Sequence, residues 1–515
     1  MENSKYVLVL DIGTTNIKAF LFNKEGKIFA QARKRPRYIL DEPGQVEQDP
    51  NEIWDLSKEA MQEVINSKNL TSENIDSIGI CTQRGSFLLW DQRKEKTYSN
   101  VITWQDKRCA EYAEKKTNSF KMKMIRGITK FLYLITRKTK MLTASMLRFN
   151  TDYASARTGY FLKHNSYIKE MLADPKTDIR WGTLDTWIVW KLTEGKVHST
   201  DYSNASSTGL LDPFTLEWNP IVLSTFEIPE YILPEIKDTR DDYGTTKLFG
   251  GEIPIKAVVA DQQASLFGQC CFNFGDMKIT NGTGSFVDIN TGNTPFASKR
   301  KLYPLIAWRI NGETTYMLEG LSHNTGNIID WIKEELELFD DPQKTEEMAK
   351  SVESTKGIYF VPAFTSGLGF PWHDPTARGN IFGISLTTKK EHIVRAVLEG
   401  ICLRVRDFVE GIIEDTGIDV ETIKADGGVS QNEFILQFLS DILGKKIEHS
   451  LDPEMTALGT AFMSGIATGF WKSKEELISI RRADTYSPIM TEEERESKYA
   501  FWNDIIRRSL NYLKD

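Results

Sequence analysis

The chain begins as apolar runs separated by short polar turns. "YVLVL" is an uninterrupted apolar run, "DIGTT" a turn with a glycine, "NIKAFLF" a second run, and "GKIFAQARK" carries a third short strand. From Pro50 to Asn66 the period changes: Trp54, Leu56, Ala60, Met61 and Val64 form a stripe of helical spacing, which predicts an amphipathic helix. Strands and helices then alternate to about residue 258, the pattern of α/β layers.

Near residue 255 the pattern restarts. "IPIKAVVADQQASLFGQCC" leads into "MKITNGTGSFVDINTG", which again reads strand, polar turn with Gly and Thr, strand. Two such hairpins, one in each half, suggest two domains of related design, although two unrelated hairpins would read the same way. Length agrees with two domains, because 515 residues exceed what one core holds, single cores growing only to roughly 250–300 residues. The expected division is 1–258 and 259–515. The second half closes in helical patterns, among them "TKKEHIVRAVLEGICLRVRDFVEGIIEDTG" and "NEFILQFLSDILG".

Charge narrows the function. A formal net charge of -8 argues against a nucleic-acid binder, which needs a basic surface to neutralise phosphates. Cys81, Cys109, Cys270, Cys271 and Cys402 are odd in number and hold no C-x-x-C pair, so neither a disulfide framework nor a zinc site is expected. The N-terminus enters a strand without a basic leader, and no apolar run approaches the roughly 20 residues of a membrane span. The expectation is a cytoplasmic protein. One stretch departs from the acidic balance: residues 115–148 carry lysines and arginines with no Asp or Glu, interleaved with Phe131, Leu132, Tyr133, Leu134 and Ile135. The plain expectation is a helix covering the domain with a solvated basic face; the alternative is a helix that docks on an anionic membrane or a partner.

Three sites carry candidate chemistry. In "LVLDIGTTNIK" an apolar strand delivers Asp11 to its end, Gly13 permits a turn, and Thr14 and Thr15 offer hydroxyls and N–H groups. Such a turn can hold phosphate oxygens while the carboxylate orders a magnesium ion, with Lys18 adding positive charge. In "IPIKAVVADQQASLFGQ" Asp261 stands where a strand ends and a helix begins. It can cap that helix, or accept the proton of an attacking hydroxyl in phosphoryl transfer. In "IKADGGVSQNEFILQF" Gly427 and Gly428 let a flat ring approach the backbone before a helix starts near Asn432.

In order, these stretches resemble the FGGY carbohydrate kinases of the actin-like ATPase superfamily, and within them the glycerol kinase branch with its divergent glycerol kinase 5 subgroup. "PGQVEQDPNEIW", "TQR", "ITWQDKR", "GTLDTWIVWKLTEGKVHSTDYSNASSTGLLD", "VPAFTSGLGFPWHDPTARGNIFGIS" and "TALGTAFMSGIATGFW" extend the likeness over nearly the whole chain. The resemblance implies two RNase H-like domains with a cleft between them, ATP along the second and a polyol in the first. It implies that Thr14, Thr15 and Asn16 meet the transferred phosphate, with Lys18 in place of a family arginine, and that Asp11 organises Mg through water. Thr283, Gly326, Gly428 and Asn432 match nucleotide contacts, and Asp330 stands where glycerol kinases usually have glutamine. Asp261 matches the catalytic base, Gln262 a substrate contact, and Arg84, Trp104 and Phe286 the polyol pocket. The implied reaction is ATP-dependent phosphorylation of glycerol; a kinase of another polyol or a sugar of ribulose or xylulose type, and an ATP-binding pseudokinase acting through a partner, are the alternatives. A homo-oligomer is common in the family.

The match breaks beside Arg84. Glycerol kinases follow that arginine with a glutamate that binds substrate hydroxyls, and here the residue is Gly85. Losing such a charged hydrogen bond removes about 1.5–3 kcal/mol, roughly tenfold or more in affinity, and the expected pocket is larger. The basic segment also shifts the spacing of a pocket tyrosine, for which Tyr153 is the nearest candidate.

Overall fold

The computed structural model describes residues 4–364 and 367–512. Thr365 and Ser366, inside the "VPAFTSGLGF" stretch, lie outside the described residues. The first half is built on a sheet of β1 (Tyr6–Ile12), β2 (Ile17–Phe22), β3 (Ile28–Lys34), β4 (Ile75–Thr82), β5 (Thr245–Thr246) and β6 (Ile253–Ala260), in the order β5-β6-β4-β1-β2-β3. β1, β2 and β3 form an antiparallel meander, and β4 and β6 run parallel to β1. The central strands are continuous apolar runs because both faces are covered. On β1, Leu8 and Leu10 join Ile53, Trp54 and Met61 of α1 (Pro50–Asn66), while Val7 and Val9 face the opposite layer. At the sheet edge β3 alternates buried and exposed residues, as a strand covered on one face should. Asp49 caps α1 by accepting a 2.8 Å bond from Asn51 N–H, and Pro50 occupies the first turn, where no donor is needed.

Three helices of the first half bear on function. α2 (Phe120–Thr136) and α3 (Thr139–Ser145) form a hairpin, and α4 (Ala154–His164) packs beneath the pocket loops. The basic segment covers the domain only in part: Met122 is the sole fully buried residue of α2, Ile125 and Leu147 pack against the same core, and much of the remaining helix surface is exposed.

After β6 comes α5 (Asp261–Gly268), then a second sheet. Its strands are β7 (Met277–Asn281), β8 (Ser285–Gly292), β9 (Tyr303–Ile310), β10 (Glu313–Ser322), β11 (Thr422–Asp426), β12 (Lys446–Ser450) and β13 (Ala483–Tyr486), in the order β9-β10-β8-β7-β11-β12-β13. β7 and β8 form an antiparallel hairpin with β11 parallel on the other side of β7, repeating how β1 and β2 sit against β4. The two hairpins therefore occupy equivalent places in two related sheets, as their sequences suggest. One face of the second sheet carries Met277, Ile279, Val287, Ile289 and Leu318 into a core with α7 (Lys390–Thr416) and α8 (Glu433–Leu443); α6 (Gly326–Glu334) adds Ile328 and Ile332. On the opposite face the two-residue period places Lys278, Thr280, Asp288 and Glu319, all polar and nearly all buried.

The last structural link is α9 (Met455–Thr468). This helix leaves the second half and packs across β1, β4 and β6, sharing a core with Val7, Val9, Cys81 and Val259. It crosses α5 with backbones in contact: a Cβ on Gly459 would strike the Ala264 carbonyl oxygen, and one on Gly268 that of Met455. Glycine is required at both positions by this approach.

Candidate active site

Between the sheets, β4 ends at Thr82 and the chain turns through Gln83, Arg84, Gly85 and Ser86 into a strand at Phe87–Asp91. Gln83 continues the β4 pairing by donating its N–H to the Ile12 carbonyl at 2.8 Å. Gly85 has φ of +67°, so the turn uses the left-handed region that glycine enters freely. Ser86 Oγ accepts the Trp104 backbone N–H at 3.1 Å, and Trp104 Nε1 donates to Thr14 Oγ1 at 3.0 Å. Arg84, Trp104 and the Thr14 turn are thus fixed together.

Arg84 reaches both domains. Its Nε lies 3.3 Å from Asp261 Oδ1, and its Nη1 lies 2.8 Å from Glu319 Oε2 on β10. Its guanidinium is 5.6 Å from the Phe286 ring centroid. Behind Glu319 the strand register lines up a row of side chains: Tyr303 opposite Glu319, Glu319 opposite Asp288, Asp288 opposite Lys278. Lys278 and Asp288 are completely buried and 2.8 Å apart. Lys278 Nζ also donates to Gln262 Oε1 and Thr280 Oγ1, each at 2.7 Å. Three carboxylates therefore face two cations. Burial raises the Asp261 carboxyl above its usual range while Arg84 opposes it, and burial with Asp288 alongside raises Glu319 against the same arginine.

Asp11 projects from β1 opposite Lys18 of β2. Lys18 Nζ pairs with Glu454, just ahead of α9, at 2.7 Å, so its charge is engaged across the domain boundary. Burial pushes the Asp11 carboxyl up to about 7, opposed by Lys18 and reinforced by Glu454 and Asp261. The corner thus holds more negative charge than its lysine neutralises. Such a donor set suits magnesium, which takes one or two carboxylates and fills its octahedron with water and phosphate oxygens. The turn itself is closed by Gly13 N–H donating to the Asn16 carbonyl at 2.9 Å; Asn16 Oδ1 accepts Arg33 Nε at 2.7 Å, and Thr15 is half-buried.

Tyr153 immediately precedes the first turn of α4, with its ring 6.1 Å from that of Tyr303. Burial, with Asp152 and Glu319 nearby, raises its hydroxyl well above the usual phenol range. Tyr153 therefore lies near Glu319, the partner of Arg84. Tyr303 donates to Asp152 Oδ2 at 3.0 Å, another bond between the halves.

The nucleotide candidates gather on the second domain. Gly326 N–H donates to the Gly282 carbonyl at 3.0 Å, which draws the start of α6 against the Thr283 turn. A Cβ at Gly326 would sit 2.7 Å from that carbonyl oxygen. Thr283 and Gly428 are exposed, and nothing lies within 4 Å of a Cβ at Gly428. Gly427, with φ of +96°, lets β11 run directly against Asn281. Asn432 caps α8 by accepting Ile435 N–H at 3.2 Å, while its amide donates to Thr345 Oγ1 at 3.1 Å. Asp330 is exposed one turn after Gly326 on α6, and no bond ties it to the other nucleotide candidates among the described residues. Asp426 is fully committed to structure: it accepts from Thr280, Ser265 and Gln269, tying β11 to β7 and α5.

Five neighbours of the site escape the sequence reading. Glu319 and the Lys278–Asp288 pair are charges embedded in apolar strands, a signal the sequence does carry. His323 stacks on Trp104 with ring centroids 5.2 Å apart, and burial lowers its pKa, which favours the neutral ring. Arg157 has no sequence signal at all. It is buried in α4, its pKa lowered by burial to about 10, and all its N–H groups meet backbone carbonyls. Nε bonds Thr151; Nη1 bonds Ile102 and Thr103; Nη2 bonds Gly85 and Asp152. These carbonyls immediately flank Trp104, Arg84 and Tyr153, so one guanidinium ties together the three pocket loops. The larger pocket expected beside Gly85 is not simply vacant: a Cβ there would come within 3.3 Å of Arg157 Nη2.

Comparison with known proteins agrees with this geometry. Residues 6–268 match the N-terminal domain of the FGGY family of carbohydrate kinases, and residues 277–468 match its C-terminal domain. Glycerol kinase 5 of Danio rerio is 38% identical over 99% of this chain and 98% of its own length. Glycerol kinase 2 of Thermotoga maritima is 40% identical over 99% of this chain and 100% of its own. The crystal structure of Plasmodium falciparum glycerol kinase with ADP superposes with a TM-score of 0.87, at 31% identity and covering 98% of each chain. Two sheets of related topology, an arginine and an aspartate meeting between them, and matches across both halves lead to one conclusion: this chain belongs to the FGGY family of carbohydrate kinases.

Proposed function

We propose that the protein phosphorylates glycerol at a terminal hydroxyl, using ATP with magnesium, and that Asp261 is the general base. The observation that carries this reading is the 3.3 Å approach of Arg84 to Asp261, beside the Phe286 ring. A small polyol between these groups would take hydrogen bonds from the guanidinium and present its carbon skeleton to Phe286 and Trp104. Asp261 would accept the hydroxyl proton as the oxygen attacks the γ-phosphate, and Gln262 and Tyr153 would line the same pocket. The proton leaves late in a loose transition state, so an ionised aspartate suffices. The glycerol kinases among its relatives support the substrate.

Thr14, Thr15 and Asn16 would receive the transferred phosphoryl group, with Lys18 joining once its pairing with Glu454 opens. Asp11 would hold magnesium through water; the ion supplies charge neutralisation on the transferring phosphoryl group. Thr283, Gly326, Gly428 and Asn432 would contact the nucleotide, with Asp330 at the edge of the base. The division at 258/259, which falls in the last residues of β6 just before α5 begins, and a cytoplasmic location consistent with five buried free cysteines belong to the same reading. The test is ADP release across glycerol, longer polyols and five-carbon ketoses. Release with glycerol at the highest kcat/KM supports the proposal, and a faster ketose reassigns the substrate.

Gly85→Glu is expected to lower the glycerol KM about tenfold by restoring a charged hydrogen bond. It should also lower Tm, because a non-glycine residue in the left-handed region costs about 1–2 kcal/mol. Steady-state kinetics and a thermal melt check both, and an unchanged KM would show that Gly85 does not limit glycerol binding.

A further inference from the structure

We propose that α2 is an interfacial helix that seats this enzyme on an anionic membrane surface. The inference rests on the surface of the α2–α3 hairpin and on no part of the substrate assignment.

α2 is anchored at its N-terminal end and uncovered along its outer side. Ser119 caps it, Met122 is fully buried, and Arg126 donates to the Thr117 and Leu147 carbonyls at 2.8 and 3.2 Å. Arg137, in the left-handed conformation, ends it and sends the chain back through α3. Ile125, Thr129 and Tyr133, the side turned towards the domain and α3, are half-buried. The outer side is apolar: Phe120, Met124, Ile128, Phe131 and Ile135 recur at intervals of four and three, one continuous stripe on an α-helix. Phe120 is 83% exposed, Phe131 63% and Ile135 65%, with Leu134 beside them at 56%. A row of large apolar side chains this exposed is unusual on a folded surface and marks a contact site.

The charges choose the occupant. At one residue per 100°, Lys121 falls on one flank of the stripe and Lys123 and Lys130 on the other. Arg137, Lys138 and Lys140 follow, and residues 115–148 contain no acidic side chain in a protein of net charge -8. Lysines on both borders of an apolar stripe let the ring and aliphatic groups enter an acyl boundary while the ammonium groups remain among lipid phosphates. A second copy meeting this face would bring lysine against lysine.

The experiment is vesicle flotation of the full-length protein with phosphatidylcholine alone and with phosphatidylserine added, at low and high salt. The expected result is binding to the serine-containing vesicles only, reduced by salt. Phe131→Glu with Ile135→Glu should abolish flotation. Lys123→Glu with Lys130→Glu should lower the bound-to-free ratio about tenfold or more, each basic residue near an anionic surface being worth about 1 kcal/mol. All four residues are exposed and outside the catalytic machinery, so kinase activity in solution should stay at the parental level, which also certifies folding. The proposal is overturned if the parent protein does not float with anionic vesicles, or if both double variants float as it does. It is also overturned if sedimentation shows the apolar substitutions dissolving a dimer in protein that never binds lipid, which would assign the stripe to a second copy.

Discussion

Asp261→Asn is expected to abolish phosphoryl transfer while ATP binding remains. Asp261 is the first residue of α5, so its position is set by the end of β6 and by the glycine-mediated packing of α5 on α9, none of which needs the carboxylate charge. Its Oδ1 accepts the neighbouring Gln262 N–H at 2.8 Å, an interaction the amide oxygen of asparagine can also make. The fold should therefore tolerate the change. An amide accepts no proton at neutral pH, and losing a general base typically lowers the rate about 10²–10⁴-fold. ATP affinity, measured by calorimetry, should stay near the parental value because the nucleotide candidates lie on other elements. The pH profile adds a second readout. Burial holds the Asp261 carboxyl above its usual range, so kcat/KM should rise with pH as that carboxyl ionises, with its acid limb displaced upward from that of an ordinary carboxylate. In Asp261→Asn, the part of the limb due to this residue should vanish.

Arg84→Met is expected to be nearly as damaging, for a different reason. The guanidinium is 14% exposed and bridges Asp261 to Glu319, itself 2% exposed. Methionine fills much of the volume but leaves the buried Glu319 and the half-buried Asp261 without their shared cation. Breaking a buried ion pair from one side costs about 3–5 kcal/mol, so Tm should fall clearly. The polyol loses a charged donor, worth about 1.5–3 kcal/mol, and its KM should rise roughly tenfold to a hundredfold while that of ATP changes little. The acid limb should also move to higher pH, because removing a nearby cation raises the Asp261 carboxyl further. Arg84→Lys separates these effects: a lysine ammonium keeps the charge but lacks the planar fork that reaches two carboxylates at once. Its Tm should lie between those of the parent and Arg84→Met.

Local periodicity made much of the fold legible in the sequence. The first three strands and α1 follow from apolar runs and a helical stripe, and the repeated hairpin marks the second sheet. The crossing of α9 onto the first sheet was not legible, since an apolar helix reads alike whichever domain it covers. At the site, Asp11, Arg84 and Asp261 stand at strand ends or strand-end turns, where side chains reach a cleft, and motif order marks them. Glu319 and Arg157 act through residues far away in sequence: one becomes a partner of Arg84 only when the halves meet, and the other finds its carbonyls only after three loops converge. The basic segment covers the domain less fully than expected, because helical spacing reveals an apolar face without revealing whether anything packs on it.

The central claim is that Arg84 and Asp261 form a polyol-phosphorylating site, and the most direct measurement is product identification by ³¹P NMR after incubation with ATP, magnesium and glycerol. The account predicts a phosphomonoester on a terminal glycerol carbon, formed in one-to-one ratio with ADP and lost in Asp261→Asn. ADP accumulating without a phosphorylated polyol, or the same product formed equally fast by Asp261→Asn, would contradict it.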